Sequence, residues 1–229
     1  WTPIMDKSDT QTVRWLLQPP ERFKPWIGLL DHSGGVRILK DYSQKPWYVR
    51  KTVGAYALHR ESRIYLKLNG IKGIPFFFGF HGSCGIVLEY IAGTVLNKFK
   101  GKDLPKVFFD RLELLLQQMH QRGVVHGDLR FKNILVTQDM EPYLIDFATA
   151  VSFSDKTIGP WRWFCRYMEK VDRRVLAKLK AKLAPHWLTE TDQNLLSEKM
   201  FLLNSGRYLR RALSKWYKGE GRKDRKKTS

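Results

Sequence analysis

The sequence predicts an α+β chain, and three observations carry that reading. Runs rich in β-branched and aromatic residues, bounded by turn residues, crowd residues 26–40 and 75–91. Amphipathic helical patterns occupy 53–68, 104–121 and the stretch before Pro185. Between them, Val124 to Ala148 holds three short apolar strands: Val124-Val125, Ile134 to Val136 and Tyr143 to Ile145. Asp128, Asn133 and Asp146 adjoin those strands, so their side chains can be held rigidly at the edge of a cleft. The 229 residues suffice for one sizeable core or two small lobes.

Taken in order, Thr12 to Gln18 reads as a helical turn, and Pro19-Pro20 with Pro25 as an extended connector. Trp26 to Leu30 and Val36 to Lys40 read as strands joined at Gly34-Gly35, which supply the positive φ a hairpin loop needs. By alternation Val36, Ile38 and Lys40 share one face. A lysine on a buried face needs an anion; the alternative is an exposed strand end beside Asp41. Val53 to Leu68 reads as a helix stopped by Asn69-Gly70. Ala57, Glu61, Ile64 and Leu68 fall on one stripe, so the Glu61 carboxylate must be paired or is costly. A Lys40–Glu61 ion pair answers both puzzles, with a local pair to Arg60 or Tyr65 as the alternative.

Pro75 to Phe80 and Gly85 to Ile91 read as an antiparallel pair, with the phenylalanines of PFFFGF in the core rather than stacking on bases. Leu104 to Gln121 reads as a helix with Asp103 as N-cap and Val107, Phe108, Leu112, Leu115, Leu116 and Met119 on its apolar side. Further on, Val171, Val175, Leu176, Leu179 and Leu183 make a stripe, with Arg173, Arg174, Lys178, Lys180 and Lys182 on the remaining surface. A last helix is expected over Glu190 to Tyr217, followed by a disordered basic tail.

The chemistry concentrates in Val124 to Ala148. Asp146 and Asn133 offer oxygen ligands for a hard cation such as Mg²⁺. Asp128 can orient a hydroxyl and accept its proton. The bland alternative is a β-hairpin with solvated turns. His126 reads as a buried, satisfied imidazole and not as a base.

The formal net charge is +19, and Lys156 to Ser229 carries 20 Lys and Arg against 7 Asp and Glu, so +13 of it. That implies an acidic partner: nucleic acid, anionic lipid or a phosphorylated substrate. There is no run of 18 apolar residues and no signal-peptide pattern at the start. The first residue is Trp1 rather than Met, so a natural N-terminus upstream is expected. Cys84 and Cys165 stand far apart, which indicates neither a zinc site nor a disulfide framework and points to a reducing, cytoplasmic compartment.

The order H-x-D-x-x-x-x-N over His126 to Asn133, followed by Asp146-Phe147 after a strand, resembles the catalytic and metal-binding loops of the protein-kinase fold. Together ILKDY, HRES, VLEYIAG, HGDLRFKN and LIDFATA resemble the bacterial lipopolysaccharide-core (Kdo and heptose) kinases and the RIO-like minimal kinases, over about residues 26–150. The resemblance implies a two-lobed protein-kinase-like fold with a small β-rich N-lobe and a reduced, mostly helical C-lobe. Its expected divisions are an N-terminal extension (1–25), N-lobe (26–92), C-lobe (93–217) and basic tail (218–229). It implies ATP and Mg²⁺, with Asp128 as base and Asn133 and Asp146 as metal ligands. Lys40, paired with Glu61, would reach the phosphates. Leu88 would lie deep in the adenine pocket, the backbone of Glu89 and Ile91 would bond adenine, and Leu135 would form the floor beneath it. Arg130 or Lys132 would neutralise the transferring phosphate, unless these are solvated loop charges.

The chain departs from the kinase pattern in four places: no G-x-G-x-x-G, Ala148 where protein kinases carry Gly, no APE motif and no room for a full activation segment. The expected function is ATP-dependent transfer of the γ-phosphate to a hydroxyl, foremost of a lipopolysaccharide-core or lipid-linked saccharide. The alternatives are a minimal serine/threonine protein kinase and a non-catalytic scaffold or RNA-binding module. Peripheral contact with an anionic membrane, at the inner face of the bacterial inner membrane, is left open. Nucleic acid is the least favoured partner.

Overall fold

A computed structural model of the chain describes residues 13–15, 23–32, 34–99, 104–154 and 158–198. The chain divides into two units, residues 1–188 and 189–229. The first opens with β1 (Val13–Trp15), paired antiparallel with β2 (Trp26–His32). Within the expected helical turn of Thr12–Gln18, the described residues Val13–Trp15 are therefore a strand instead. Val13 is β-branched and suits an extended backbone, and the edge of β2 takes up the hydrogen bonds of this segment.

A tight hairpin at Gly34-Gly35 leads into β3 (Gly35–Asp41). Pro46 then caps a helix that begins at Trp47, earlier than the expected Val53. It starts as α1 (Trp47–Val49), passes through a π-helical turn at Arg50–Gly54, and becomes α2 (Ala55–Leu68). The wide turn depends on Gly54, where a Cβ would come within 2.9 Å of the Tyr42 ring. With β4 (Phe77–His81) and β5 (Gly85–Glu89) the antiparallel sheet runs β1-β2-β3-β5-β4.

The two faces of this sheet differ. Leu30, Leu39 and Val87 form a small core with Phe78. Ile38, Phe77 and Leu88 face the main core, as the alternation along β3 and β5 requires. A β-bulge between Phe77 and Gly79 puts Phe77 and Phe80 on the main core and Phe78 on the opposite face, under the Arg37 guanidinium at 3.9 Å. Phe77 and Phe78 thus pack as expected, while Phe76 is exposed.

The helical part comprises β6 (Gly93–Val95), α3 (Lys106–Gln121), β7 (Val124–Val125), β8 (Ile134–Thr137), β9 (Pro142–Leu144), β10 (Val151–Ser152) and α4 (Gly159–Leu183). The small strands form two sheets, β6-β8-β9 and β10-β7. One continuous core joins Leu58, Tyr65 and Leu68 of α2, Leu88 of β5, Phe108, Leu112 and Leu116 of α3, and Leu176 and Leu179 of α4.

Three expectations for these helices need correction. Asp103 lies outside the described residues; α3 is capped at Pro105, and Val107 is exposed while Phe109 is buried. Lys180 is buried against α3 and bonds Glu113 at 2.9 Å, because its long stem covers apolar surface while its ammonium reaches a carboxylate. In the second unit, α5 (Glu190–Ser197) starts with a Thr189–Asp192 capping box and ends at Glu198, whose extended backbone stops the helix long before Tyr217. Residues 199–229, including the rest of that expected helix and the tail, lie outside the described residues. Among the described residues no helix is long and apolar enough to cross a membrane.

Candidate active site

Lys40 and Glu61 meet. Lys40 Nζ lies 2.6 Å from Glu61 Oε1, and the residues are 8% and 4% exposed. The side chain of Asp41 does not compete, since it accepts hydrogen bonds from the N–H and hydroxyl of Ser43. Burial is the largest influence on the Lys40 ammonium and would lower it, but the charges of Glu61, Tyr65 and Asp146 and the hydrogen bond to Glu61 together outweigh it, and the net shift is well upward. Tyr65, one helical turn beyond Glu61, is pushed well above the usual phenol range by burial. Tyr42 is pushed up to about 12, by burial first and then by the Glu61 charge.

Asp146 completes this side of the site. Its Oδ1 lies 3.7 Å from Lys40 Nζ, and its side chain is half exposed. Its φ of +67° places it in the left-handed region, which a non-glycine residue occupies at a cost. The next residue holds it there: Phe147 is fully buried, with its ring 5.2 Å from that of Tyr65 and 5.0 Å from that of His126. Ala148 does not have positive φ, and the turn closes through Ala150 N–H donating to Phe147 O, so no glycine is required at 148.

The loop between β7 and β8 forms the other side. Asn133 Nδ2 donates to Asp128 O at 2.8 Å, and Ile145 N–H donates to Asn133 O at 3.0 Å, which ties the loop to the strand before Asp146. The Asn133 side-chain oxygen and the Asp146 carboxylate are both hard donors, and the bond from Nδ2 fixes which end of the Asn133 amide is left for a cation. That donor set fits Mg²⁺, which takes one or two protein oxygens together with substrate phosphates. Among the described residues no cluster of three or more His, Cys, Asp or Glu forms a metal cage.

Arg130 Nη2 sits 2.6 Å from Asp128 Oδ2, so the structure brings these two together, whereas Lys132 is solvent-exposed on the Phe131–Asn133 turn. His126 is fully buried; its Nε2 lies 3.2 Å from Ile145 O, and its Nδ1 accepts from Asp128 N–H at 3.4 Å. Both contacts suit a neutral imidazole protonated at Nε2, with neither nitrogen left for base chemistry. Gly127 has φ +73°, and a Cβ there would lie 2.9 Å from Thr149 O, so the loop closes only with glycine.

On the expected nucleotide side, Leu88 is buried opposite Ile38 and Phe77. Glu89 N–H is engaged by Phe76 O at 2.8 Å, and its carboxylate accepts from Phe76 N–H at 3.0 Å. Of the two residues expected to meet adenine, Glu89 thus has its N–H and its carboxylate already engaged by Phe76. Leu135 is half-buried on β8, paired with Val95.

Residues 39–159, running from β3 to the start of α4, match the RIO domain. The chain belongs to the RIO-domain family. Its fold is accordingly that of an atypical protein kinase, with a small antiparallel N-lobe sheet and a helical part. A probable SapB synthase of Streptomyces coelicolor is 32% identical over 153 residues, covering 52% of this chain and 16% of that protein. Serine/threonine-protein kinase AtPK1/AtPK6 of Arabidopsis thaliana is 28% identical over 102 residues, covering 44% of this chain and 19% of that one. Serine/threonine-protein kinase 1 of African swine fever virus is 24% identical over 93 residues, covering 35% and 31%. The match thus spans less than a third of each of these relatives.

Two anchors of this RIO domain escaped sequence reasoning. Asp172 of α4 is buried; its Oδ2 accepts from His126 N–H at 2.8 Å and lies 3.2 Å from His120 Nε2, and its Oδ1 accepts from Gly127 N–H at 3.4 Å. It fixes the backbone immediately before Asp128. A signal existed: Asp172 adjoins buried Val171 and stands four residues before buried Leu176, the same anomaly that marked Glu61. The second anchor is the outer face of α2. Arg60 donates to Ala150 O at 2.7 Å and Thr149 O at 3.3 Å, and Lys67 to Phe153 O at 2.6 Å and Gly123 O at 3.1 Å. All four acceptors are backbone carbonyls, which carry no sequence signal.

Proposed function

We propose that this chain is an ATP-dependent phosphotransferase acting on a hydroxyl, foremost that of a lipopolysaccharide-core or lipid-linked saccharide. The observation that carries the phosphotransferase reading is the buried Lys40–Glu61 pair with Asp146 beside it, facing a loop that presents Asp128 and Asn133. In this reading Lys40 orients the phosphates. Asn133 and Asp146 would hold Mg²⁺, which when bound would supply positive charge to the phosphates. Asp128 takes the proton of the acceptor hydroxyl as that oxygen bonds to the γ-phosphorus and the bond to the departing ADP oxygen breaks. Arg130 holds the Asp128 carboxylate in place beforehand and offers its charge to the transferring group.

The acceptor assignment is supported by what lies between Asp146 and α4. Only residues 147–158 separate them, against the long segment on which protein kinases dock a peptide. The strongly basic composition adds an acidic or membrane-linked acceptor to that argument. A second reading, a minimal serine/threonine protein kinase, is favoured by the names of the Arabidopsis and viral relatives. It uses the same residues with Ser or Thr as acceptor. A non-catalytic scaffold or RNA-binding module is disfavoured by the assembled Lys40, Glu61, Asp128, Asn133 and Asp146.

ATP turnover measured side by side with a lipopolysaccharide precursor, a generic protein and no acceptor separates these. Stimulation by the precursor alone is expected. Stimulation by protein alone would move the assignment to the second reading, and no turnover under any condition would sink both.

A further inference from the structure

Helix α4 is longer than its role behind the catalytic loop requires. Asp172, which holds that loop, stands thirteen residues into it. The turns before it reach past the core and end in an exposed aromatic cluster. Ile158 is 81% exposed, Trp161 49% and Trp163 61%. The rings are braced: Trp161 stacks on Phe164 at 5.2 Å, and Trp163 on Tyr167 at 5.8 Å. Large apolar side chains held out in water mark an interaction surface.

On one side of this stretch the charges are of one sign. At the helical 100° per residue, Trp163, Arg166, Lys170 and Arg173 fall within roughly an 80° sector, and all four are exposed. The opposite side carries buried Cys165, Asp172 and Leu176. The acids of this part of the helix are Glu169 and Asp172, and Asp172 is committed to the catalytic loop. The result is a solvent face of tryptophan and cations with no carboxylate in its sector. Tryptophan beside arginine and lysine suits the boundary between acyl chains and anionic headgroups.

We propose that the N-terminal half of α4 docks the protein on an anionic bilayer surface, with Ile158 at the helix tip and Trp163 entering the headgroup layer and Arg166 and Arg173 meeting lipid phosphates. Met168, whose side chain approaches Gly127, lies on the opposite side of α4, so this pad and the catalytic loop are separated by the width of the helix. The inference does not depend on the acceptor reading above; its evidence is the composition of the exposed helix face.

The test is vesicle co-sedimentation of the full chain, with phosphatidylglycerol-containing and pure phosphatidylcholine vesicles at low and raised salt. Wild type is expected to bind the anionic vesicles in a salt-sensitive manner. Ile158→Ser/Trp163→Ser and Arg166→Glu/Arg173→Glu are each expected to weaken that binding at least about tenfold, with melting temperature and ATP turnover without vesicles unchanged. If the first variant fails to fold, the second carries the test. Unchanged binding in the variants would place the contact elsewhere on the chain and overturn the proposal. So would absence of wild-type binding, equal binding to neutral vesicles, or displacement by RNA that depends on the same residues. Vesicle binding that is lost in the variants, in a protein with no ATP turnover, would uphold the pad and count against the kinase reading alone.

Discussion

Helices α2 and α4 each bury one carboxylate next to the active site, and they use it differently. Glu61 meets a side-chain cation, Lys40, and through it bears on Asp146 and the phosphate side. Asp172 meets backbone N–H groups, those of His126 and Gly127, and through them fixes the loop that carries Asp128. A charge pair positions a charge; a carboxylate on backbone amides positions a chain. The first should control whether nucleotide is bound productively, and the second whether the acceptor hydroxyl is met by a base in the right place.

Asp146→Asn should have the largest effect. Losing the strand-end carboxylate is expected to abolish Mg²⁺-dependent ATP turnover, and wild-type rates at millimolar Mg²⁺ would remove Asp146 from the metal site. Glu61→Ala leaves Lys40 buried without its partner, at a cost of about 3 kcal/mol in urea unfolding. The comparison is sharpest in the double variant Lys40→Met/Glu61→Leu, which should regain most of that stability and none of the turnover.

Asp128→Ala should keep nucleotide binding near normal and slow transfer by about 10²-fold or more. Parallel loss of binding and rate would make Asp128 a scaffold residue instead. Asp172→Asn should cost about 2 kcal/mol, since one buried amide loses its acceptor, and should lower kcat with little change in the KM for ATP. A rise in that KM with kcat intact would break the division between the two helices.

The smallest effect concerns pH. Tyr42 keeps its proton to about 12 in the folded protein, against an ordinary value of 10.0. Its contribution is complete below pH 10 and is lost as the pH rises from there toward 12, because the unfolded chain gives up the proton first. Lys40, also raised, is charged throughout that range in the folded state. Tyr42→Phe should therefore flatten the fall in unfolding free energy between pH 10 and 12, and an unchanged slope would show that Tyr42 is more solvated than its surroundings imply.

Sequence reasoning reached the site where side chain meets side chain. Strand alternation put Lys40 on the inner face, helical periodicity put Glu61 in an apolar stripe, and each anomaly required the other. The strands around Asp128, Asn133 and Asp146 were legible for a similar reason: short apolar runs ending in polar residues leave few alternatives. Partners on the backbone were not legible. Nothing in the letters Thr149, Ala150 or Phe153 announces that their carbonyls receive Arg60 and Lys67. Helix ends were also misjudged, because a proline cap at Pro46 and a wide turn at Gly54 override the propensities of the residues between them. Lys180 was placed on the surface by charge alone, although its position in the stripe of α4 allows the stem to be buried and the ammonium to reach Glu113.

The bonds from Arg60 and Lys67 bear on how such a molecule could be regulated. Swinging α2 away from the nucleotide side would break three or four charge-assisted contacts and strand Lys40. Even at about 1.5 kcal/mol for each of three contacts, the displaced conformer would amount to about one molecule in two thousand. An effector that silences the site by moving α2 would have to prefer that rare conformer by a comparable factor. With the helix fastened to this degree, control of the proposed phosphate transfer would come more readily through the supply of acceptor, or the amount of protein made, than through the shape of the domain.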